Sequence, residues 1–146
     1  MGKEIEHKYL VKNEMFKQMA SSSTKIKQGY LSREPSRTVR VRTKAHTAFL
    51  TIKGITTDDT RDEFEYEIPY EDGVKLLAMC QPPIVEKTRY LVKFDDMVWE
   101  VDQFHGNHDG LVTAEVELPY SGYAYNLPPF VGKNVTGDPR YYNSNL

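Results

Sequence analysis

The sequence predicts a mainly β fold of the α+β kind. It reads as an eight-stranded antiparallel sheet, closed or nearly closed into a barrel, with two short helices outside. Three observations carry that prediction. Seven stretches alternate charged with apolar residues at a period of two, which sets the charges of each on one face of a strand. Only two segments, near residues 14–20 and 72–80, carry helix start and stop signals. The 146 residues fit one domain, 1–146, large enough to bury a core without staples.

The first strand, Lys3 to Leu10, reads KEIEHKYL, with Glu4, Glu6 and Lys8 on one face and Ile5, His7 and Tyr9 on the other. Asn13 is placed to cap a short helix over Glu14 to Ala20, and Ser21 to Thr24 reads as a linker. The second strand, Lys25 to Leu31, aligns Ile26, Gln28 and Tyr30, while Gly29 permits close backbone approach. A loop at Arg33 to Ser36 leads to the third, Thr38 to Lys44, where Arg40 and Arg42 oppose Val39, Val41 and Thr43. The fourth, Thr47 to Lys53, ends on Lys53. The polar link Thr56 to Thr60 precedes the fifth, Arg61 to Pro69, with Glu63, Glu65 and Glu67 facing away from Phe64, Tyr66 and Ile68.

Glu71 and Asp72 favour the N-terminus of a helix over Asp72 to Cys80, ended by Pro82-Pro83. The sixth strand, Ile84 to Lys93, carries Lys87 and Arg89 on one face. Asp95-Asp96 forms a tight hairpin turn into the seventh, Met97 to Gln103, where Glu100 and Asp102 oppose Trp99 and Val101. A loop at His105 to Gly110 leads to the eighth, Val112 to Leu118, with Glu115 and Glu117 flanking Val116. The remainder, rich in Tyr, Asn, Pro and Gly, is expected to be irregular with at most one helical turn.

Composition removes several function classes. Acids number 21 against 19 bases, a formal net charge of −2, which is no electrostatic footprint for nucleic acid or an anionic membrane. No apolar run reaches membrane-spanning length, and no signal-peptide core opens the chain. The single Cys80 leaves no internal disulfide. A cytoplasmic protein is expected, with homodimerisation left open.

If the charged faces point inward, the lumen receives nine acids: Glu4, Glu6, Glu63, Glu65, Glu67, Glu100, Asp102, Glu115 and Glu117. It also receives six bases: Lys8, Arg40, Arg42, Lys53, Lys87 and Arg89. Such a face is costly unless its groups are paired or meet ions. Three Arg and three Lys suit a polyphosphate, and paired carboxylates suit a hard divalent cation, Mg²⁺ or Mn²⁺. Nine acids against six bases leave −3, so a bare polyanion would be repelled; two divalent cations would reverse the sign. The competing reading is an ordinary solvated sheet face with cross-strand ion pairs.

These residues stand in motifs that resemble a known family. E-x-E-x-K at Glu4, Glu6 and Lys8 is followed by QGY at Gln28–Tyr30, RVR at Arg40–Arg42 and IKG at Ile52–Gly54. EYEI at Glu65–Ile68, VEKTRY at Val85–Tyr90, EVD at Glu100–Asp102, EVEL at Glu115–Leu118 and VTGDPRYYN at Val135–Asn143 complete the series. Together they resemble the CYTH domain family, the triphosphate tunnel metalloenzymes, and among them the short bacterial inorganic triphosphatases. The resemblance implies a tunnel that binds triphosphate with Mg²⁺ or Mn²⁺ and acts on a phosphoanhydride bond. It implies Glu4, Glu6, Glu65, Glu115 and Glu117 as metal ligands, and Lys8, Arg40, Arg42, Lys53, Lys87 and Arg89 as the phosphate cradle. Glu4, Glu6, Lys87 and Tyr30 are the candidates for the chemistry, since a tyrosine beside Lys87 would have a lowered pKa and help activate water. One departure concerns Tyr120 to Pro129, which replaces an expected helix and leaves closure of the tunnel's far end undefined.

Three functions follow. The first is metal-dependent hydrolysis of inorganic tripolyphosphate, since the chain leaves little extra structure to recognise a nucleoside. The second is a class IV adenylyl cyclase, or a nucleoside or thiamine triphosphatase. The third is a non-catalytic polyphosphate-binding module. Trp99, opposite Glu100, is expected outside the tunnel. His7 is expected beside the site rather than in it, and Arg140 either at the tunnel mouth or on the surface.

Overall fold

The computed structural model describes residues 2–146, and β1 (Gly2–Val11) is its hub. Along the chain follow α1 (Met15–Met19), β2 (Ser22–Ser32), β3 (Arg37–Lys44), β4 (Thr47–Gly54) and β5 (Thr60–Ile68). Then come α2 (Tyr70–Met79), β6 (Gln81–Phe94), β7 (Met97–Phe104), β8 (Val112–Glu117) and β9 (Val131–Asn134). All pairings are antiparallel. The order β5-β4-β3-β2-β6-β7-β8-β1 is closed by β5 pairing with β1, giving an eight-stranded barrel. Residues Gly2 to Ile5 of β1 pair with β5, Glu6 to Leu10 pair with β8, and Tyr9 and Val11 reach β9.

The barrel is packed inside out. Its apolar core lies on the outer face, where Tyr9, Val92, Trp99, Val101, Ala114 and Val116 are buried under Phe16 of α1 and Phe130 and Val131 of the C-terminal segment. Trp99 is 0% exposed there, as its strand parity predicts. The Tyr120–Pro129 stretch covers this face without a helix. Tyr125 is hydrogen-bonded to Tyr9 Oη and to His7 Nδ1, both at 2.6 Å. His7 is thereby held outside the lumen, its other ring nitrogen 3.1 Å from Asp59.

The opposite wall is covered by α2, whose first turn carries Glu71 and Asp72 where the helix dipole favours them. Gly73 lets α2 lie against β4, since a Cβ there would collide with Ala48. At the helix's far end Gly29 does the same for β2: a Cβ would meet Ile84 at 2.7 Å and Cys80 at 2.8 Å. Asn13 Oδ1 accepts the Met15 N–H at 3.0 Å, but Glu14, not Asn13, takes the N-cap position of α1, which has no side-chain capping bond. Asp95 and Asp96 both take positive φ, as a tight hairpin turn requires.

Several boundaries differ from expectation. Ser22 to Thr24 extend β2 rather than link to it, and Pro82-Pro83 lie within β6 rather than behind a helix end. The C-terminal segment is more ordered than its composition predicts. It supplies β9 and two 3₁₀ turns, Pro139–Tyr141 and Asn143–Asn145. No helix is long and apolar enough to cross a membrane among the described residues.

Candidate functional site

Register determines which side chains enter the lumen, because directly opposed residues in antiparallel strands share a face. Glu6 opposes Glu117, Lys8 opposes Glu115, and Glu100 opposes Glu115 from the other side. Arg89 opposes Asp102, Gln28 opposes Arg42, and Tyr30 opposes Arg40. Lys53 opposes Glu63, Thr51 opposes Glu65, and Glu4 opposes Arg61. The charged row therefore runs round the inside of the barrel.

Two connected cavities result. The larger, about 170 Å³, is lined by Glu4, Glu6, Arg40, Arg42, Lys53, Glu63, Glu65, Arg89, Glu100, Glu115, Glu117 and Asn143. Its lining thus sets seven carboxylates against four cations. The smaller, about 70 Å³, shares Glu4, Glu6, Arg40, Lys53 and Asn143, and adds Lys8, Tyr30, Thr38, Arg61 and the C-terminal Tyr142 and Ser144. Glu67 has the inward parity but is exposed and lines neither cavity, so the expected ninth acid is not part of the site.

Most of the basic side chains among these have an acidic or polar partner. Lys53 Nζ is 3.0 Å from Glu4 and 3.5 Å from Glu63. Arg89 forks onto Asp102 at 2.8 and 2.9 Å and reaches Glu100 at 3.2 Å. Arg40 touches Thr51 and Glu65, and Arg42 gives two bonds to Gln28 Oε1 at 3.2 and 3.3 Å.

A CYTH domain model matches residues 2–142. The chain belongs to the CYTH domain family. It is 44% identical over 147 residues to an inorganic triphosphatase of Acetivibrio thermocellus, covering 100% of this chain and 94% of the relative. A second inorganic triphosphatase, from Nitrosomonas europaea, is 33% identical over 98% of this chain and 95% of its own. The crystal structure of an inorganic triphosphatase superposes with a TM-score of 0.66 at 31% identity, covering 97% of this chain and 94% of that one.

In this CYTH domain two neighbouring carboxyls, Glu6 and Glu115, are pushed in opposite directions. Burial, then the charges of Glu115 and Glu4, push Glu6 well above the carboxylate range against the pull of Lys53. Burial also acts to raise Glu115, but Lys8 and a hydrogen bond from Glu6 prevail and hold it at about 2. Glu117 is raised by burial, Glu4 and Glu63. Among the described residues no three acidic, imidazole or thiol groups converge into a closed cation cage.

Tyr30 and Lys87, expected as neighbours, occupy separate places. Tyr30 lines the smaller cavity with Lys8. Lys87 lies across from Ile26 and Phe104, four residues along β2 from Tyr30, roughly 13 Å of strand. Its ammonium is 0% exposed and 2.8 Å from Asp102, off the line of a good hydrogen bond. Arg140 pairs with Asp138 on the surface rather than at the tunnel.

The sequence reading left out Arg61, although it has the parity of Glu63 and Glu65. It also left out Gln28 and Thr51, polar residues of inward rows. The closing turn at Tyr141 to Ser144 gave no periodic signal.

Proposed function

We propose that this CYTH domain hydrolyses a phosphoanhydride bond of inorganic tripolyphosphate with the help of a divalent cation. The observation that carries the reading is a set of donors without acceptors. Among the described residues five buried side-chain polar atoms are unpartnered, and four of them are nitrogens of inward residues: Gln28 Nε2, Arg40 Nε, Arg61 Nε and Lys87 Nζ. A buried donor left unmade costs roughly 1–3 kcal/mol. Phosphate oxygens are acceptors only, many per molecule; Arg40 and Arg61 line the cavities that would hold them, and Gln28 and Lys87 stand behind that lining.

Lys8, Arg40, Arg42, Lys53, Lys87 and Arg89 form the cradle in this reading, neutralising charge on the transferring group. The donor set also fits a hard cation. Glu6 and Glu115 line the same cavity, and Glu4 and Glu117 complete an all-carboxylate set, with Glu65 at the rim. Mg²⁺ is ordinarily held by one or two carboxylates plus water and substrate phosphates, so a closed protein cage is not needed. When bound, Mg²⁺ or Mn²⁺, two per site, would neutralise phosphate oxygens and lower the pKa of the attacking water. Glu4 and Glu6 hold the metal-side charge, and Tyr30 positions water or a phosphoryl oxygen in the smaller cavity.

The names of the relatives support tripolyphosphate as the substrate, and the reading carries a cytoplasmic setting. A cyclase must also seat adenine and ribose, and Trp99 is committed to the outer core. The test is phosphate release from tripolyphosphate, ATP and thiamine triphosphate, with cyclic AMP measured in parallel. Tripolyphosphate cleavage that needs Mg²⁺ or Mn²⁺ and stops in excess EDTA is expected. Cyclic AMP from ATP, or full phosphate release in EDTA, would overturn the reading.

A further inference from the structure

The smaller cavity contains a base that the proposed cradle does not use. Arg61 opposes Glu4 across β5 and β1 and lines the cavity with Lys8, Tyr30 and Thr38. Its guanidinium donates to Thr38 Oγ1 at 3.2 Å, while its Nε is buried without an acceptor. The C-terminal turn roofs this end. Lys8 Nζ donates to the Tyr141 carbonyl at 2.8 Å, Tyr142 and Ser144 line the cavity, and Asn143 reaches both cavities. The turn is anchored by the Val135 N–H on Lys8 O at 2.8 Å and by Asp138, which accepts the Arg140 N–H at 3.0 Å.

The two ends of the tunnel therefore differ. Glu65, Glu100 and Glu117 line the larger cavity and are partly open to solvent, the first two with side chains 42% and 41% exposed. The end under the turn is narrower: its space of about 70 Å³ holds a few waters or one small tetrahedral group, and it opens to solvent past Asp58, Gly137 and Tyr142. Two acids also border it. Asp59 is already engaged by His7, Thr60 and Ser121, and Asp58 occupies a turn with φ of 57°.

We propose that this narrow end is a terminal-phosphate site in which Arg61 is the specificity-determining contact. It rests on the reading of the lumen as a polyphosphate site. A linear polyphosphate then enters end-first and a cyclic one is rejected. A terminal phosphoryl group has three non-bridging oxygens and up to two charges; an internal one has two such oxygens and one charge. The guanidinium fork favours the former. A ring such as trimetaphosphate has no terminal group to offer.

Binding of two probes, each with Mg²⁺, tests this by calorimetry: linear imidotriphosphate, which resists hydrolysis, and cyclic trimetaphosphate. Wild type should prefer the linear probe by about tenfold or more, the worth of one charge-assisted hydrogen bond. Arg61→Gln should erase most of that preference by weakening the linear probe alone. Arg61→Lys should restore part of it, and keeps the test sound if the Gln variant does not fold. Lys25→Gln, an exposed charge loss outside both cavities, should change neither affinity. Equal binding of the two probes by wild type, or equal losses in Arg61→Gln, would overturn the proposal. If the linear probe binds with this preference but tripolyphosphate is not cleaved, hydrolysis fails and the terminal site stands. If neither probe binds, both readings fall.

Discussion

Lys53 Nζ lies 3.0 Å from both carboxylate oxygens of Glu4, a contact that joins residues 49 apart in sequence. Several of the tunnel's bases are paired with its acids across the lumen in this way. Binding must exchange these partners for cation and phosphate.

Lys53→Met tests the exchange. Breaking a dry buried pair costs ~3–5 kcal/mol, and water in the lumen should reduce this to ~1–3 kcal/mol. Mg²⁺ should recover part of the loss by taking over the neutralisation of Glu4. Urea unfolding with and without Mg²⁺ measures both effects. A loss that Mg²⁺ leaves untouched would place Glu4 outside the cation site.

Lys87 sets a pH dependence. Burial lowers its amine most; Asp102 opposes this, Arg89 and Arg42 reinforce it, Glu115 raises it slightly, and the group rests at about 7. Between that value and the ordinary lysine range the unfolded chain binds the extra proton. This group's contribution to stability therefore rises with pH across that window and is least favourable below pH 7. A bound polyanion favours the charged amine, so above pH 7 tripolyphosphate binding should take up a proton and KM should rise with pH. The KM–pH profile should flatten in Lys87→Arg. The same slope in wild type and variant would assign the titration elsewhere.

Arg42 separates cradle from metal site. Burial, Arg40 and Arg89 all disfavour its charge, yet a guanidinium stays protonated and has no lone pair for a metal. Arg42→Ala should raise KM for tripolyphosphate by about tenfold, one charge-assisted contact, while metal affinity without substrate holds or rises. Arg42→Lys should recover only part, because a point charge does not replace a fork. Kinetics and metal titration on both variants give the comparison; a fall in metal affinity would contradict it.

The outer core should behave independently of the lumen. Phe130 is 0% exposed and packs edge-on against Phe16 at 6.0 Å between centroids. Phe130→Ala should cost ~3–5 kcal/mol in chemical unfolding and leave KM unchanged at temperatures where the variant stays folded. A raised KM with intact stability would contradict the separation.

The strands and their inward faces were legible because alternation is strict wherever one face is charged and the other apolar. Arg40 with Val41, and Glu100 with Val101, signal the pleat within two residues. Glu67 shows the limit of that signal: parity gives a face, but not how far along the strand the cavity extends. Tyr30 and Lys87 show another, since proximity across β2 and β6 depends on register, and register depends on the bulge near Gln28 and Tyr30. The strand β9 is only four residues, VGKN, too short for periodicity to register. The turn from Tyr141 to Ser144 is held through backbone groups, such as the Tyr141 carbonyl on Lys8, which side-chain patterns do not encode.

Turnover of tripolyphosphate by Glu6→Gln and Glu117→Gln, with circular dichroism confirming the fold, tests most directly whether the inward charged face is the working surface. Each substitution keeps shape and removes a carboxylate from the lumen. Both variants should fold and lose about two orders of magnitude or more in kcat, the scale on which one preorganised charge partner of a transition state acts. Wild-type rates in both folded variants would contradict it and leave the charges as a solvated sheet face.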